Sequence, residues 1–252
     1  MREGGLLYQA DKLARASAVV TRYGVPEVIR GAVGDARHGL YVAREIVMPK
    51  LLDLCGADLH IHGRERVDFA KGCVLASNHE STLDIPALFV AVPADLFFVA
   101  KAEIKWIPII GQYVQQVGMI LINRRRRKDA LKRLQQQADR VAAGMCVATF
   151  PEGRRMTDGR VHRFKKGAFV LAHAAGVPVV PVAIVGARNV YGAHGPYDPR
   201  PGRIDLAFGD PVPTKGLSQE QLPDLIADVH RRVVALHIEL GGGGAAESLA
   251  TD

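Results

Sequence analysis

Residues 73–100 read CVLASNHESTLDIPALFVAVPADLFFVA, and the pattern of this stretch decides the fold class. A short apolar run at 74–76 gives way to the polar segment Ser77-Asn78-His79-Glu80-Ser81-Thr82. An apolar segment then runs through Val92, and a second short run follows at 95–100. The short runs have the length of buried strands, and the segment between them has the length of a turn leading into a helix. Strand, helix, strand in succession is the unit from which parallel sheets are built.

The alternation continues outward. Helical patterns at 107–114, 128–143 and 167–175 alternate with strand-like runs at 118–123, 146–150, 179–185 and 204–208. The expected architecture is therefore α/β, with a largely parallel central sheet flanked by helices. A last helix is expected over 217–240, opened by Ser218 and Glu220 and stopped by the glycines at 241–244. Before the sheet, residues 6–23 space their apolar positions as a helix does, and a second helix is expected from Pro26 to Val47, ended by Pro49. The chain thus divides into an N-terminal helical pair (1–50), an α/β domain (51–240) and a flexible tail (241–252). The helical pair is amphipathic enough to pack on the domain or to lie on a membrane surface.

The 252 residues are 48% hydrophobic and 23% charged, which excludes a disordered chain and a collagen-like one. The longest apolar stretches, 88–100 and 177–187, are too short to span a bilayer, and Pro93 and Asp95 interrupt the first. No secretory signal is expected, because residues 1–5 are followed by Asp11, Lys12 and Arg15. Three cysteines with no paired spacing (Cys55, Cys73, Cys146) read as reduced thiols in a cytosolic chain.

The net charge is +7, and its distribution is uneven. Residues 101–133 hold nine basic side chains against two acidic ones, including an unbroken run at 124–128. Residues 154–166 hold six more against Asp158 alone. Clustered positive charge implies an anionic partner: a phosphorylated substrate, an anionic membrane or nucleic acid.

The segment after the first strand carries the sharpest chemistry, because α/β sheets place their sites in loops at the strands' C-terminal ends. On one regular helix His79 and Asp84 would point about 140° apart. With His79 in the loop and Asp84 in the first helical turn, the carboxylate can reach one ring nitrogen, fix the tautomer and leave the other nitrogen as a general base. A structural reading competes: Ser81-x-x-Asp84 resembles a capping box, which would make Asp84 a helix-start residue. Spacing alone does not separate the two. A zinc helix is not expected, since Leu83 stands where the second histidine would be needed. Directly after the strand-like run at 146–150, Pro151-Glu152-Gly153 forms a turn, and Arg154 and Arg155 beside it suit bidentate phosphate binding. The plainer reading there is a solvated basic rim. Val177-Pro178-Val179-Val180-Pro181 reads as a short buried strand bounded by prolines.

In order and content these blocks resemble the glycerolipid acyltransferases, the family of the 1-acyl-glycerol-3-phosphate acyltransferase. Asn78-His79-x4-Asp84 is similar to its His-x4-Asp block, and Gly118-Met119-Ile120-Leu121-Ile122-Asn123-Arg124 to the block ending in a substrate-binding arginine. Phe150-Pro151-Glu152-Gly153 and the segment 177–181 are similar to the third and fourth. The resemblance implies that 51–240 is an acyltransferase domain moving a fatty acyl group from acyl-CoA or acyl carrier protein to a hydroxyl of a lysolipid such as lysophosphatidate. It implies His79 as general base oriented by Asp84, with no metal or other cofactor. Asn78, Lys101, Arg124 and the turn of Glu152, Gly153, Arg154 and Arg155 would hold the acceptor. Two departures are visible: Arg154 stands where the family has a small hydroxyl residue, which leaves another lysophospholipid or a glycolipid open as the acceptor, and Asn123 stands where it has an acid, in a run of arginines that leaves the contact open between Arg124 and Arg125. With no membrane span expected, the resemblance implies a peripheral enzyme on the inner, cytoplasmic face of an anionic membrane.

Two other functions fit parts of the sequence. One is a nucleic-acid binder clamping phosphates with residues 124–128, but aromatics are only 6% and none is interleaved with that run, so base stacking has little support. The other is a catalytically inactive phospholipid-binding relative, against which His79, Asp84, Glu152 and Gly153 are all intact.

Overall fold

The computed structural model describes residues 5–123, 126–193 and 198–246. The chain opens with helix α1 (Leu6–Ala32), which runs straight through Pro26. The boundary expected at that proline is therefore absent. Proline removes one helical hydrogen bond, but tertiary contacts hold both halves of α1. Tyr8 Oη donates to the Pro199 carbonyl and Lys12 Nζ to the Leu54 carbonyl on one side of it. On the other side Glu27 meets His38 Nδ1 at 2.8 Å and the Val28 carbonyl accepts from Gln116. Helices α2 (Arg37–Val42) and α3 (Met48–Cys55) are joined by a π-helical turn, Ala43–Val47. That wider turn directly precedes Pro49, which sits in the first turn of α3, where its missing N–H costs nothing. Among the described residues no helix is long and apolar enough to cross a membrane.

The remaining elements are β1 (Ala57–His62), β2 (Cys73–Ser77), α4 (Asp84–Ala91), β3 (Leu96–Lys101), α5 (Ile110–Gln116), β4 (Ile120–Ile122), α6 (Arg127–Gln135) and α7 (Ala138–Ala142). They continue with β5 (Cys146–Thr149), α8 (Gly167–Ala175), β6 (Val179–Val185), α9 (Ala187–Val190), β7 (Gly202–Phe208) and α10 (Leu222–Glu239). The helix expected over 128–143 is thus two helices. Strand β1 was not anticipated, and it pairs parallel with β7 at the sheet's edge.

The seven strands lie in the order β1-β7-β6-β2-β5-β3-β4. Five of them, β6, β2, β5, β3 and β4, are mutually parallel, and only the β6–β7 pairing is antiparallel. The expected largely parallel α/β sheet with N-terminal helices is the observed fold. β2 and β5 are buried on both faces, as central parallel strands must be. The chain leaves β2 through α4 towards β3, and leaves β5 through α8 in the opposite direction towards β6. Right-handed crossovers running in opposite directions put their helices on opposite faces. Helices α6, α7 and α10 gather around α8, while α3 packs on α4 and α1 on α3. The crevice opened by such a reversal, at the C-terminal ends of β2 and β5, is where this architecture places its site.

Cys73 and Cys146 face each other in register on β2 and β5, buried and unoxidised, and Cys55 is a half-buried free thiol. The segment expected to be loose from Gly241 onward is tied down through Ala246. Val161 N donates to the Gly244 carbonyl and Ala246 N to the Val161 carbonyl.

Candidate active site

The register Ala76↔Thr149 brings the ends of β2 and β5 side by side, so the loop after each strand meets the other. Asp84 begins α4 and is fully buried. Its Oδ2 takes His79 Nδ1 at 2.7 Å and accepts the Glu80 and Ser81 backbone N–H groups at 2.8 and 3.0 Å. Leu83 N donates to Ser81 Oγ at 3.2 Å. The helix-start and histidine-orienting readings of Asp84 are therefore not alternatives, since one oxygen does both. The helix N-terminus favours a negative charge at this position.

His79 is fixed on every side but one. The Phe150 ring stacks on the imidazole, centroids 3.9 Å apart and planes at 15°. Its backbone N–H donates to Glu152 Oε2 at 2.9 Å, and its carbonyl accepts Met156 N at 2.8 Å. Nε2 has no hydrogen-bond partner among the described residues. A tautomer held at Nδ1 by a carboxylate leaves Nε2 as a base towards solvent or substrate.

Glu152 is buried at the tip of the turn closed by Gly153 N donating to the Phe150 carbonyl. Besides His79 N it accepts His162 N at 2.8 Å, so it bridges two loops. Burial pushes its carboxyl up to about 8, with the two N–H bonds pulling the other way. Gly153 follows at φ +80°, a conformation glycine adopts without strain, and the Lys165 ammonium lies where a side chain at 153 would be. Glu80 is also buried, accepting Arg188 N at 3.0 Å. Burial and then the neighbouring Asp84 charge raise its carboxyl to about 7.

The other sequence-derived candidates fall in three groups. Arg154 and Arg155 are exposed beside the cluster, and Arg155 Nη1 donates to Thr82 Oγ1 at 2.8 Å, joining the two loops. Lys101 ends β3 at the same edge of the sheet but pairs with Glu103 at 3.5 Å rather than with a group of the His79 cluster. Asn78, grouped above with the acceptor-binding residues, is turned into the sheet. Its Nδ2 donates to the Ile184 carbonyl and its Oδ1 accepts Ile184 N, both at 2.8 Å. Arg124 lies outside the described residues.

The sequence reading missed the Phe150 stack, the His162 N–H and the Arg188 turn, because each depends on which strands end side by side. It also missed an apolar groove of about 270 Å³ between α1, α3 and the start of α4. Leu13, Ala16, Leu51, Leu83 and Pro86 line it, and Thr82 brings it to the loop that carries His79. Among the described residues no group of three or more His, Cys, Asp or Glu is arranged to hold a metal ion.

A histidine held by a buried carboxylate, with two exposed guanidinium groups beside it, is an arrangement suited to proton transfer next to an anionic group. Comparison with known proteins narrows that class. The acyltransferase family model matches residues 58–185, slightly more than half of the chain. A 1-acyl-sn-glycerol-3-phosphate acyltransferase of Chlamydomonas reinhardtii is 36% identical over 72% of this chain and 53% of its own length. The mouse 1-acyl-sn-glycerol-3-phosphate acyltransferase alpha is 30% identical over 75% of this chain and 69% of its own. The chain thus spans about half to two thirds of these relatives. The crystal structure of the 1-acyl-sn-glycerophosphate acyltransferase of Thermotoga maritima superposes with a TM-score of 0.77 at 26% identity, covering 96% of this chain and 98% of that one. The chain belongs to the acyltransferase family.

Proposed function

We propose that the protein transfers a fatty acyl group from an acyl thioester, acyl-CoA or acyl carrier protein, to the free hydroxyl of a glycerol-phosphate-type lipid such as lysophosphatidate. The observation that carries this reading is the 2.7 Å contact between His79 Nδ1 and Asp84, with Nε2 left open in a chain of this family. In the proposed step the acceptor hydroxyl gives its proton to His79 Nε2 while its oxygen attacks the thioester carbonyl carbon. The tetrahedral adduct then expels the sulfur, which takes the proton from Nε2 and leaves as free thiol. Asp84 holds the imidazole and stabilises its charge while the proton is there. Such base assistance is worth about 10²–10⁴-fold. The step needs neither a serine or cysteine nucleophile nor a metal.

Arg155 and Arg154 hold the acceptor phosphate in this reading, Lys101 assists from β3, and Glu152 and Gly153 shape the turn that presents them. Asn78 positions the loop rather than touching substrate. The groove beside Thr82 takes the acyl chain, since it is apolar and reaches the loop that carries His79. Acceptor and product are both lipids, so the protein works at the cytoplasmic face of an anionic membrane, attached through the amphipathic α1 and its basic surface.

The test incubates purified protein with acyl-CoA, a thiol reagent and a panel of lysolipids, and reads released thiol. Release that depends on a phosphate-bearing acceptor, and vanishes in His79→Ala, is the expected result. Full transfer by a normally folded His79→Ala variant would sink the reading.

A further inference from the structure

Residues 102–110, AEIKWIPII, follow β3 and carry the most exposed large aromatic side chain described, Trp106, with 77% of its surface accessible. Ile107, Pro108 and Ile110 are exposed beside it, so consecutive apolar side chains point away from the protein at one tip. An isolated exposed apolar residue needs no explanation, but a contiguous set does.

This tip is held rigidly. Ile110 N donates to the Pro108 carbonyl at 2.7 Å around Ile109, whose φ of 66° and ψ of −58° form a γ-turn of the strained hand. Ile109 is the only non-glycine residue with positive φ among those described. Strain in a β-branched residue persists only where its surroundings enforce it. Here the Ile109 side chain packs on Gly24 of α1, and Gly111 sits so close to the Lys105 carbonyl that no side chain fits there.

Position and charge identify the occupant. β3 runs parallel to β5, and β5 to β2, so the tip stands at the sheet edge that carries His79 and Glu152. The Lys105 ammonium lies 4.7 Å from the centroid of the Trp106 ring, and Lys101, just before the segment, pairs with its Glu103 at 3.5 Å. A tryptophan with a lysine ammonium against its ring and exposed isoleucines after it matches the headgroup boundary of an anionic bilayer, where an indole puts its ring in the apolar zone and its N–H among polar groups. α1, which packs on this tip through Gly24, exposes Leu6, Leu7, Leu13 and Ile29, and Val33 just past its end is exposed as well.

We infer that residues 106–110 form a rigid wedge that inserts Trp106 and Ile107 into an anionic lipid surface, setting the height of the catalytic edge above it. The inference rests on the membrane reading given above. It adds an anchor on the catalytic domain itself, separate from α1.

Trp106 is the single tryptophan of the chain, so its fluorescence reports on this tip alone. The full chain is mixed with vesicles containing phosphatidylglycerol, with and without phosphatidylcholine brominated along its acyl chains. Binding is followed separately by co-sedimentation. A blue-shifted emission that the brominated lipid quenches is expected, together with a fall of about tenfold or more in vesicle partition for Ile107→Asp/Ile110→Asp. Co-sedimentation without shift or quenching would overturn the wedge while leaving attachment through α1 standing. Absence of co-sedimentation would overturn both. A shift that appears on concentrating the protein without vesicles would make the tip a contact between two copies and overturn the lipid assignment.

Discussion

Glu152 Oε2 accepts the backbone N–H of His79 at 2.9 Å, across a separation of 73 residues. The acid of the turn after β5 therefore sets the position of His79 in the loop after β2, while its other oxygen takes His162 N. Glu152→Gln keeps the shape but offers an amide NH₂ to one of two backbone donors, leaving a buried N–H without an acceptor. That loss costs about 1–3 kcal/mol. If the strain falls on His79, kcat drops about tenfold or more with KM little changed. A variant with full kcat and a lowered melting temperature would reduce Glu152 to a structural role.

Asn78 makes a contrasting prediction. Both of its amide atoms are spent on Ile184 in the interior. Asn78→Ala leaves a backbone donor and acceptor unpaired, costing roughly 1–3 kcal/mol for each group. Thermal unfolding should show a loss of several degrees or more, and KM for the acceptor should not rise specifically. A rise in KM without loss of stability would return Asn78 to the substrate.

The two raised carboxyls make stability depend on pH. Glu80 is raised to about 7 and Glu152 to about 8, each from an ordinary value of 4.5. The folded chain therefore holds both protons more tightly than the unfolded chain. This contribution is complete below pH 4.5 and drains away as pH climbs through 7 and 8. Each proton retained by the folded state alone gives a slope of about 1.4 kcal/mol per pH unit. Melting temperatures should fall between pH 6 and pH 9, and Glu80→Gln, which can still accept Arg188 N, should flatten part of that fall. Identical slopes in the two proteins would show that Glu80 does not titrate there.

Much of this was legible in the sequence, and the gaps have physical causes. The stretch 73–100 announced its strand-helix-strand unit because β2 is buried throughout and β3 over its first three residues, so that both read as plain apolar runs. β1 escaped although Ala57, Leu59 and Ile61 alternate with Asp58, His60 and His62, the pattern of a half-exposed edge strand. The antiparallel sense of β7 is set by the path of the chain between β6 and β7, which periodicity does not encode. Pro26 looked like a boundary because local propensity was read without the contacts that hold α1 on both sides of it. At the site, His79 and Asp84 were singled out by the order of the four family-like blocks rather than by their spacing, and the doubling of Asp84 as helix cap and histidine partner needed geometry.

In the proposed reading the guanidinium groups beside the site divide the work between affinity and choice of acceptor. Arg155 is already aimed at the His79 loop through Thr82, whereas Arg154 is exposed with no ion pair among the described residues. Losing a charge-assisted bond to phosphate costs about 1.5–3 kcal/mol, or roughly 10–150-fold. Arg155→Ala should raise KM for a phosphate-bearing acceptor by that factor with kcat little changed, the signature of lost uniform binding. Arg154→Thr, which restores the hydroxyl residue of the family pattern, should shift the ratio of rates between acceptors of different headgroup. Unchanged ratios across the panel would remove Arg154 from acceptor selection.

The apolar groove yields the prediction most specific to acyl transfer. Ala16 faces it from α1, while Ala18 is exposed on the same helix and lines no part of it. Phenylalanine at 16 would fill space that the far end of an acyl chain occupies in the proposed reading. Each methylene kept out of an apolar site costs about 0.8 kcal/mol. Excluding two of them lowers kcat/KM for long-chain donors by roughly fifteenfold and leaves short-chain donors untouched. Ala18→Phe adds the same bulk to the same helix and should leave the chain-length profile as it is. A profile in Ala16→Phe that falls equally for every donor would mean that the substitution disturbs the site as a whole. The groove would then be packing between α1 and the domain, with the acyl chain lodged elsewhere.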